Sequence, residues 1–195
     1  MNISPVKSSL VQHSSKPRRH VWAALLLSAF SVAILAGSAL AAALVKNGSF
    51  EKDSNGDGVP NGWARSDFGG VLPKRVCNQS YAGSCSLRFV FDLYGKEVEQ
   101  NLSISGLQGD DYKLTFWMKG KEIVDGSGRD TQVRFTFLPA GGTNNLFPLE
   151  GTSPWTKYSW TGSATQNFTS ILVELVSDST SGKAWFDSVK LVEVP

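Results

Sequence analysis

A short loop of the sequence carries oxygen-bearing side chains at alternate positions. Asp53, Asn55 and Asp57 are the first, third and fifth residues of the segment DSNGDG. In calcium-binding loops this spacing lets the side chains of a tight turn converge on one ion. The twelfth position is Ala64, where an EF-hand has a bidentate Glu. Because Asp, Asn and Gly are also common turn residues, the loop is consistent with a calcium site and with a plain turn.

A second group of residues could bind a sugar. In DYKLTFWMKG and TQVRFTFL, apolar residues alternate with others, so each predicted strand has an apolar face and a mixed face. Carbohydrate sites combine an aromatic ring, which packs against a sugar, with polar side chains that bond its hydroxyls. Two alternatives stay open: a loop could cover Trp117, or the loop residues Tyr94 and Phe147 could form an edge site. The predicted sugar site consists of Trp117, Lys119, Gln132, Arg134, Glu97 and Glu99.

Catalysis would have to rest on carboxylates. Both histidines, His13 and His20, lie near the start of the chain, which leaves the rest without a Ser-His-Asp, Cys-His or His-containing zinc site. A glycosidase needs two carboxyl groups about 5–10 Å apart. Glu97 and Glu99 would place theirs roughly 6–7 Å apart, because they are two residues apart on one strand. A solvated strand face explains this pair more simply, so the protein is predicted not to be an enzyme.

Residues 1–41 have the features of an export segment. Basic residues precede an uncharged run over residues 21–45, which contains the small-residue sequence ALA at 39–41. A basic region, an apolar region and a small-residue cleavage site are typical of a secretory signal peptide. The run also reaches the roughly 20 residues that span a bilayer, so an uncleaved membrane anchor is the alternative. In both cases residues 44–195 are expected to be exported, to a secreted or cell-surface location.

The same segment determines the charge balance. Four of the 19 basic residues lie in it, whereas all 17 acidic residues lie at Glu51 or beyond. The predicted domain is therefore slightly acidic, although the whole chain has a pI of about 8.5. Nothing in this balance indicates nucleic acid as a partner, and membrane contact is expected only through an uncleaved N-terminal segment. The four basic residues are Lys7, Lys16, Arg18 and Arg19.

The two cysteines of the chain are close in sequence. Cys77 and Cys85 enclose the segment NQSYAGS. In an exported domain such a pair is predicted to form a structural disulfide that closes a tight loop, with two free thiols as the alternative.

From residue 44 onward the sequence has the pattern of an all-β protein. Segments with period-two alternation, or rich in β-branched and aromatic residues, are separated by clusters of Gly, Asn, Asp and Pro. Their number and spacing predict an antiparallel β-sandwich or barrel in one domain. The predicted strands are 44–50, 63–68, 71–77, 85–91, 97–104, 112–119, 131–138, 157–162, 171–176 and 184–194.

Five motifs resemble, in their order, those of a known family. They are NGSFE with the following PNGW loop, GSCSLRF, GDDYKLTFWMKG, WTKY and WFDSVKL. Together they are similar to the carbohydrate-binding modules of families 4 and 9, which are galactose-binding-like jelly rolls. The resemblance implies a non-catalytic jelly-roll β-sandwich that binds poly- or oligosaccharide. Two other functions stay open: a structural or adhesive surface protein, and an accessory module that acts with glycoside hydrolases.

The resemblance also implies a structural calcium that joins the start of the first strand to the last strand. The matching positions are Glu51 in NGSFE and Asp187 in WFDSV. Backbone carbonyls would complete the six to eight oxygens that calcium takes in proteins. Solvated strand ends would explain the same two carboxylates without a metal.

Overall fold

The computed structural model describes residues 42–124, 131–146 and 150–195. The predicted signal peptide or anchor, residues 1–41, lies outside these residues. Within them, no helix is both long enough and apolar enough to cross a membrane. The regular structure that they form is β-strand and turn, which confirms the predicted all-β class.

The described residues form two five-stranded antiparallel sheets, which pack as the two layers of a jelly-roll sandwich. The front sheet has the order β1-β4-β9-β6-β7, and the back sheet has the order β2-β3-β10-β5-β8. The strands are β1 (Ala64–Ser66), β2 (Lys74–Val76), β3 (Ser86–Val90), β4 (Lys96–Leu102), β5 (Asp111–Val124), β6 (Gln132–Leu138), β7 (Gly142–Leu146), β8 (Gly151–Ser163), β9 (Ser170–Ser177) and β10 (Ser181–Val194).

The core lies between the two sheets and follows the alternation of the sequence. Successive side chains of a strand point to opposite faces, so the apolar residues of β5 and β6 face the core and their neighbours face outward. The outward residues define an outer face on each sheet. The core residues of these two strands are Tyr112, Leu114, Phe116, Met118, Val133, Phe135 and Phe137, all nearly or completely buried.

The predicted first strand, residues 44–50, is wrong. The segment is a turn that is hydrogen-bonded to β10: Leu44 N–H donates to the carbonyl of Leu191, and Val189 N–H donates to the carbonyl of Gly48. The chain reverses because Asn47 and Phe50 have positive φ angles, 49° and 57°, which no regular strand contains. Val45 and Phe50 of this segment are nevertheless buried and Leu44 is partly buried, so the alternation that predicted a strand reflects packing alone.

One strand was not predicted from the sequence. β7 (Gly142–Leu146) pairs with β6, with Thr143 opposite Thr136 and Asn145 opposite Arg134. Its sequence, GTNNL, consists mostly of turn-forming residues. The segment forms a strand because it pairs with β6, although its own residues do not favour one.

Candidate functional site

The structure divides the predicted sugar site between two outer faces. Trp117 and Lys119 lie on β5, in the back sheet, whereas Gln132 and Arg134 lie on β6, in the front sheet. The remaining pair, Glu97 and Glu99, lies on β4 of the front sheet. Because the outer faces point away from each other across the core, the structure does not bring the six residues together into one site. Alternation identified the outward side chains but not the sheet to which each strand belongs.

The disulfide loop, residues 77–85, covers Trp117. Its Tyr81 ring stacks on the Trp117 ring, with ring centroids 3.5 Å apart and an interplanar angle of 13°. Trp155 meets the edge of the same Tyr81 ring, with centroids 6.3 Å apart. Trp117 therefore packs under a loop, the alternative considered above, and Tyr81 presents an exposed aromatic ring in its place.

Two carboxylates hold the disulfide loop against the sandwich. The bridge between Cys77 and Cys85 closes the loop, as predicted. Glu51 Oε1 accepts hydrogen bonds from the N–H groups of Ser84 and Cys85, at 2.9 and 3.1 Å. On the other side, Asp187 Oδ2 accepts from two further N–H groups of the loop, at 2.8 and 3.0 Å. These residues lie where the resemblance placed a calcium, and the hydrogen-bond donors to their carboxylates are backbone N–H groups and the Ser188 hydroxyl.

Asp187 is a fully buried carboxyl group. Burial raises its pKa above the ordinary value, and the hydrogen bonds from Ala82, Tyr81 and Ser188 oppose that rise. These donors stabilise the ionised form, which would otherwise be costly in the interior. Glu51 and Asp187 thus have N–H partners, and calcium at this position stays a prediction.

Carboxylates of the DSNGDG loop accept hydrogen bonds from the backbone N–H groups of the same loop. Asp53 accepts hydrogen bonds from the N–H groups of Gly56 and Gly58 through its two carboxylate oxygens. Asp57 accepts from the N–H of Val59 and from the Asn55 side chain. These contacts are those of a plain turn, so they account for the residue types without a metal. Calcium bound by Asp53, Asn55 and Asp57 stays a prediction.

The outer face of the front sheet carries a row of charged side chains. Glu99 of β4 and Arg134 of β6 both lie opposite Glu174, which occupies the central strand β9. Arg134 binds Glu174 through two nitrogens, at 2.8 and 2.6 Å. Carboxylate oxygens of Glu97, Glu99 and Glu174 lie within 4.8 Å of one another. This charged row, which consists of Glu97, Glu99, Glu174 and Arg134, therefore contains three carboxylates and one guanidinium.

The charges of the row, together with burial, shift the pKa values of Glu99 and Arg134. Burial raises the pKa of Glu99 above the ordinary value, and the negative charges of Glu97 and Glu174 raise it further. The hydrogen bond to Glu174 in turn raises the pKa of Arg134, so the guanidinium stays charged. Glu99 therefore takes up a proton at a higher pH than an ordinary Glu.

An aromatic residue lies at one end of the charged row. Phe68, which follows β1, is 52% exposed. Together with Glu97, Arg134 and Asp178 it lines a cavity of about 390 Å³. The front sheet thus combines an exposed ring with polar side chains, the combination that the sequence had placed around Trp117. Of the proposed edge aromatics, Tyr94 is half-exposed, whereas Phe147 lies outside the described residues.

One residue of this site, Glu174, has a signal in the sequence although it was not among the predicted site residues. Glu174 interrupts the apolar run ILVEL, in which its neighbours Val173 and Leu175 are fully buried. A carboxylate in such a run requires a partner, here Arg134. Phe68 has no comparable signal, because an aromatic residue in a loop is as easily part of the core.

No family model and no curated protein sequence matches the chain. Solved structures do match. TmCBM61 in complex with β-1,4-galactotriose superposes with a TM-score of 0.55 at 17% identity, over 79% of this chain and all of that one. The CBM22-1 xylan-binding domain of Paenibacillus barcinonensis Xyn10C gives a TM-score of 0.52 at 19% identity, over 79% and 96%.

A further match is the enzymatically active domain of bacteriophage CBA120 tailspike protein 4, with a TM-score of 0.60 at 15% identity. It covers 78% of this chain but only 21% of that chain. At these identities the matches show the fold alone. The chain has the jelly-roll fold of carbohydrate-binding modules. No family model matches it, so membership of family 4 or 9 stays a prediction.

The loop contacts predict a large effect of Asp187→Ala. The change removes the acceptor of three partly buried backbone N–H groups. We expect the free energy of unfolding to fall by about 3 kcal/mol, because hydrogen bonds to charged groups contribute roughly 1.5–3 kcal/mol each and desolvation of the carboxylate offsets part of that. Urea unfolding measures it. Asp178→Ala, at an exposed carboxyl, is the control, and equal losses in both variants would contradict the role of Asp187 in holding the loop.

The raised pKa of Glu99 predicts a pH-dependent gain from Glu99→Gln. The folded protein binds a proton here more tightly than the unfolded chain, so this group's contribution falls as pH rises through its folded pKa. At neutral pH the variant should be more stable than the parent, and the gain should vanish below the ordinary Glu pKa. Thermal melts from pH 3.5 to 7.5 test this. The exposed Glu193→Gln should show no such trend, and a gain that is constant with pH would contradict the explanation.

Proposed function

We propose that the protein is a non-catalytic carbohydrate-binding module that binds neutral poly- or oligosaccharide on the outer face of the front sheet. The observation that carries this is the combination of the exposed Phe68 ring with Glu97 and Arg134 of the charged row around one cavity. The fold supports a sugar-binding role in general, since the solved neighbours include modules described as bound to β-1,4-galactotriose or as xylan-binding.

The charged row is suited to sugar hydroxyls. A carboxylate accepts two O–H groups side by side, and a guanidinium donates two parallel N–H groups. Arg134 and Glu174 fix each other in plane through their two hydrogen bonds, so their remaining donors and acceptors are held in place before a ligand binds. A further acceptor, Glu97, is oriented by a hydrogen bond of 3.1 Å from the Ser66 hydroxyl.

The charge of the row favours a neutral ligand. Three carboxylates face one guanidinium, so an acidic sugar would be repelled. The half-exposed Phe68 offers an apolar surface to the C–H face of a sugar ring at the end of the row. The expected ligand is an uncharged chain that crosses the strands of the front sheet.

Removal of the aromatic ring tests this site. We expect Phe68→Ala to weaken binding of a neutral polysaccharide about tenfold, since about 1.4 kcal/mol of binding energy corresponds to a factor of ten. Isothermal titration with galactan, xylan, mannan and β-glucan identifies the ligand first. Leu93→Ala, at an exposed apolar residue outside the cavity, is the matched control. Binding that is equally weakened in both variants, or no binding to any polymer, would contradict the proposal.

A glycosidase is the second candidate for the same residues. The close spacing of the three carboxylates and the raised pKa of Glu99 are what a general acid beside a base would show. The bidentate contact with Arg134 instead holds Glu174 as an ion pair, which favours binding without catalysis. Hydrolysis of a chromogenic glycoside that is lost in Glu99→Gln would establish the enzyme.

Calcium and export are separate parts of the proposal. Calcium bound by Glu51 and Asp187 would supplement the hydrogen bonds that hold the disulfide loop. Chelation should then lower the melting temperature by several degrees, and Asp187→Ala should abolish that response. A melt that EDTA does not change would exclude the metal. Export to a secreted or cell-surface location rests on residues 1–41. A purely structural or adhesive role there is the alternative that the glycan titration tests.

A further inference from the structure

The outer face of the back sheet contains a cavity lined by cations. Its volume is about 380 Å³, and four of its seven lining residues are positively charged. No described carboxylate lines it. This is notable in a domain whose acidic residues outnumber its basic ones. The cations are Arg88, Lys119, Lys121 and Lys183, and the other lining residues are Asn78, Gln79 and Trp185.

Strand pairing brings the cations together. Trp185 of β10 lies opposite Arg88 on one side and Lys119 on the other, and Lys183 lies opposite Lys121. Residues two apart on a strand share a face, so these side chains project together from the back sheet. Like charges on neighbouring strands repel each other. In the described part of the chain the ion pairs are Lys96 with Asp92 and Arg134 with Glu174, so none of the four cations has a carboxylate partner there.

Two N–H groups of the cavity lining also lack acceptors. Trp185 is only 7% exposed, and its indole Nε1 is buried without a hydrogen-bond partner. The Nε of Arg88, which faces Trp185 across the strand pair, is buried and unpartnered as well. Buried donors are nearly always paired in native proteins. Both N–H groups lack an acceptor within the described protein, and an anion in the cavity would bring acceptor oxygens to the residues that carry them and compensate the cations.

Hydrogen bonds within the protein fix the wall of the cavity. Gln79 accepts a hydrogen bond of 2.7 Å from Lys119 Nζ through its side chain, and its carbonyl accepts one of 2.5 Å from the Ser86 hydroxyl. The Lys119 Nζ lies 5.7 Å from the centre of the Trp185 ring, within the range of a cation–π contact. The acidic residue next along this face of β10, Asp187, is fully buried and bonded to the disulfide loop.

We propose that this cavity binds the oxyanion group, sulfate or carboxylate, of an acidic polysaccharide. Such a group supplies a negative charge to pair with the four cations. It also supplies oxygens that accept hydrogen bonds, which the N–H groups of Trp185 and Arg88 lack. The exposed ring of Tyr81, in the loop that also supplies Asn78 and Gln79, provides an aromatic surface next to the cavity for the sugar that carries the anion. The polysaccharide part rests on the proposed function, whereas anion binding does not.

The experiment titrates the protein with one sulfated polymer, heparin, one carboxylated polymer, polygalacturonate, and one neutral polymer, galactan. We expect at least one acidic polymer to bind, with an affinity that falls as salt is raised. Lys183→Gln should weaken that binding at least tenfold. Lys190→Gln removes an exposed charge from the same strand outside the cavity, so it should leave binding unchanged. The polymer that binds more tightly identifies sulfate or carboxylate as the anion.

Several outcomes would overturn the proposal. They are no binding of either acidic polymer, equal losses in Lys183→Gln and Lys190→Gln, or duplex DNA that binds as tightly as the acidic polymers. Because both lysines are exposed, their replacement leaves the core intact, and circular dichroism confirms folding. Binding of galactan depends on the front sheet and should be unaffected by Lys183→Gln, so failure of this site is distinguishable from failure of the proposed function.

Discussion

The N–H groups of the disulfide loop need acceptors, and two carboxylates from distant parts of the chain provide them. Glu51 precedes the first strand and Asp187 lies on the last strand, β10, so the loop is held by residues that are far apart in the sequence. The position of the loop determines what the back sheet presents. It places Tyr81 over Trp117 and Gln79 beside Lys119, and the cavity of the back sheet exists because this wall is present.

The two sheets share a core but present different chemistry to the solvent. The front sheet carries three carboxylates around one arginine, and the back sheet carries four cations without a described carboxylate around its cavity. Charges that face away from each other across an apolar core keep a small effect on each other, because solvent screens each face. The same fold therefore presents two surfaces of different charge.

The sequence predicted the fold class and the outward side chains well, because alternation fixes both. It could not predict which sheet contains a strand: β5 and β6 follow each other in the chain but lie in different sheets, which separated Trp117 from Arg134. The error at residues 44–50 has a different cause, since the apolar residues of a buried turn imitate a strand. Glu174 could have been identified by its place in an apolar run, whereas the pairing of Trp185 with Arg88 and Lys119 depends on contacts between distant strands.

The order of the strands also bears on how copies of the domain can meet. Three of the four sheet edges are formed by the short strands β1, β2 and β7, with three, three and five residues. The fourth, β8, contains Pro154, and its pairing with β5 is interrupted by register shifts. Short or interrupted edges are poor templates for an added strand. Self-association by continuation of a sheet is therefore disfavoured, so copies of the domain would have to meet through their faces.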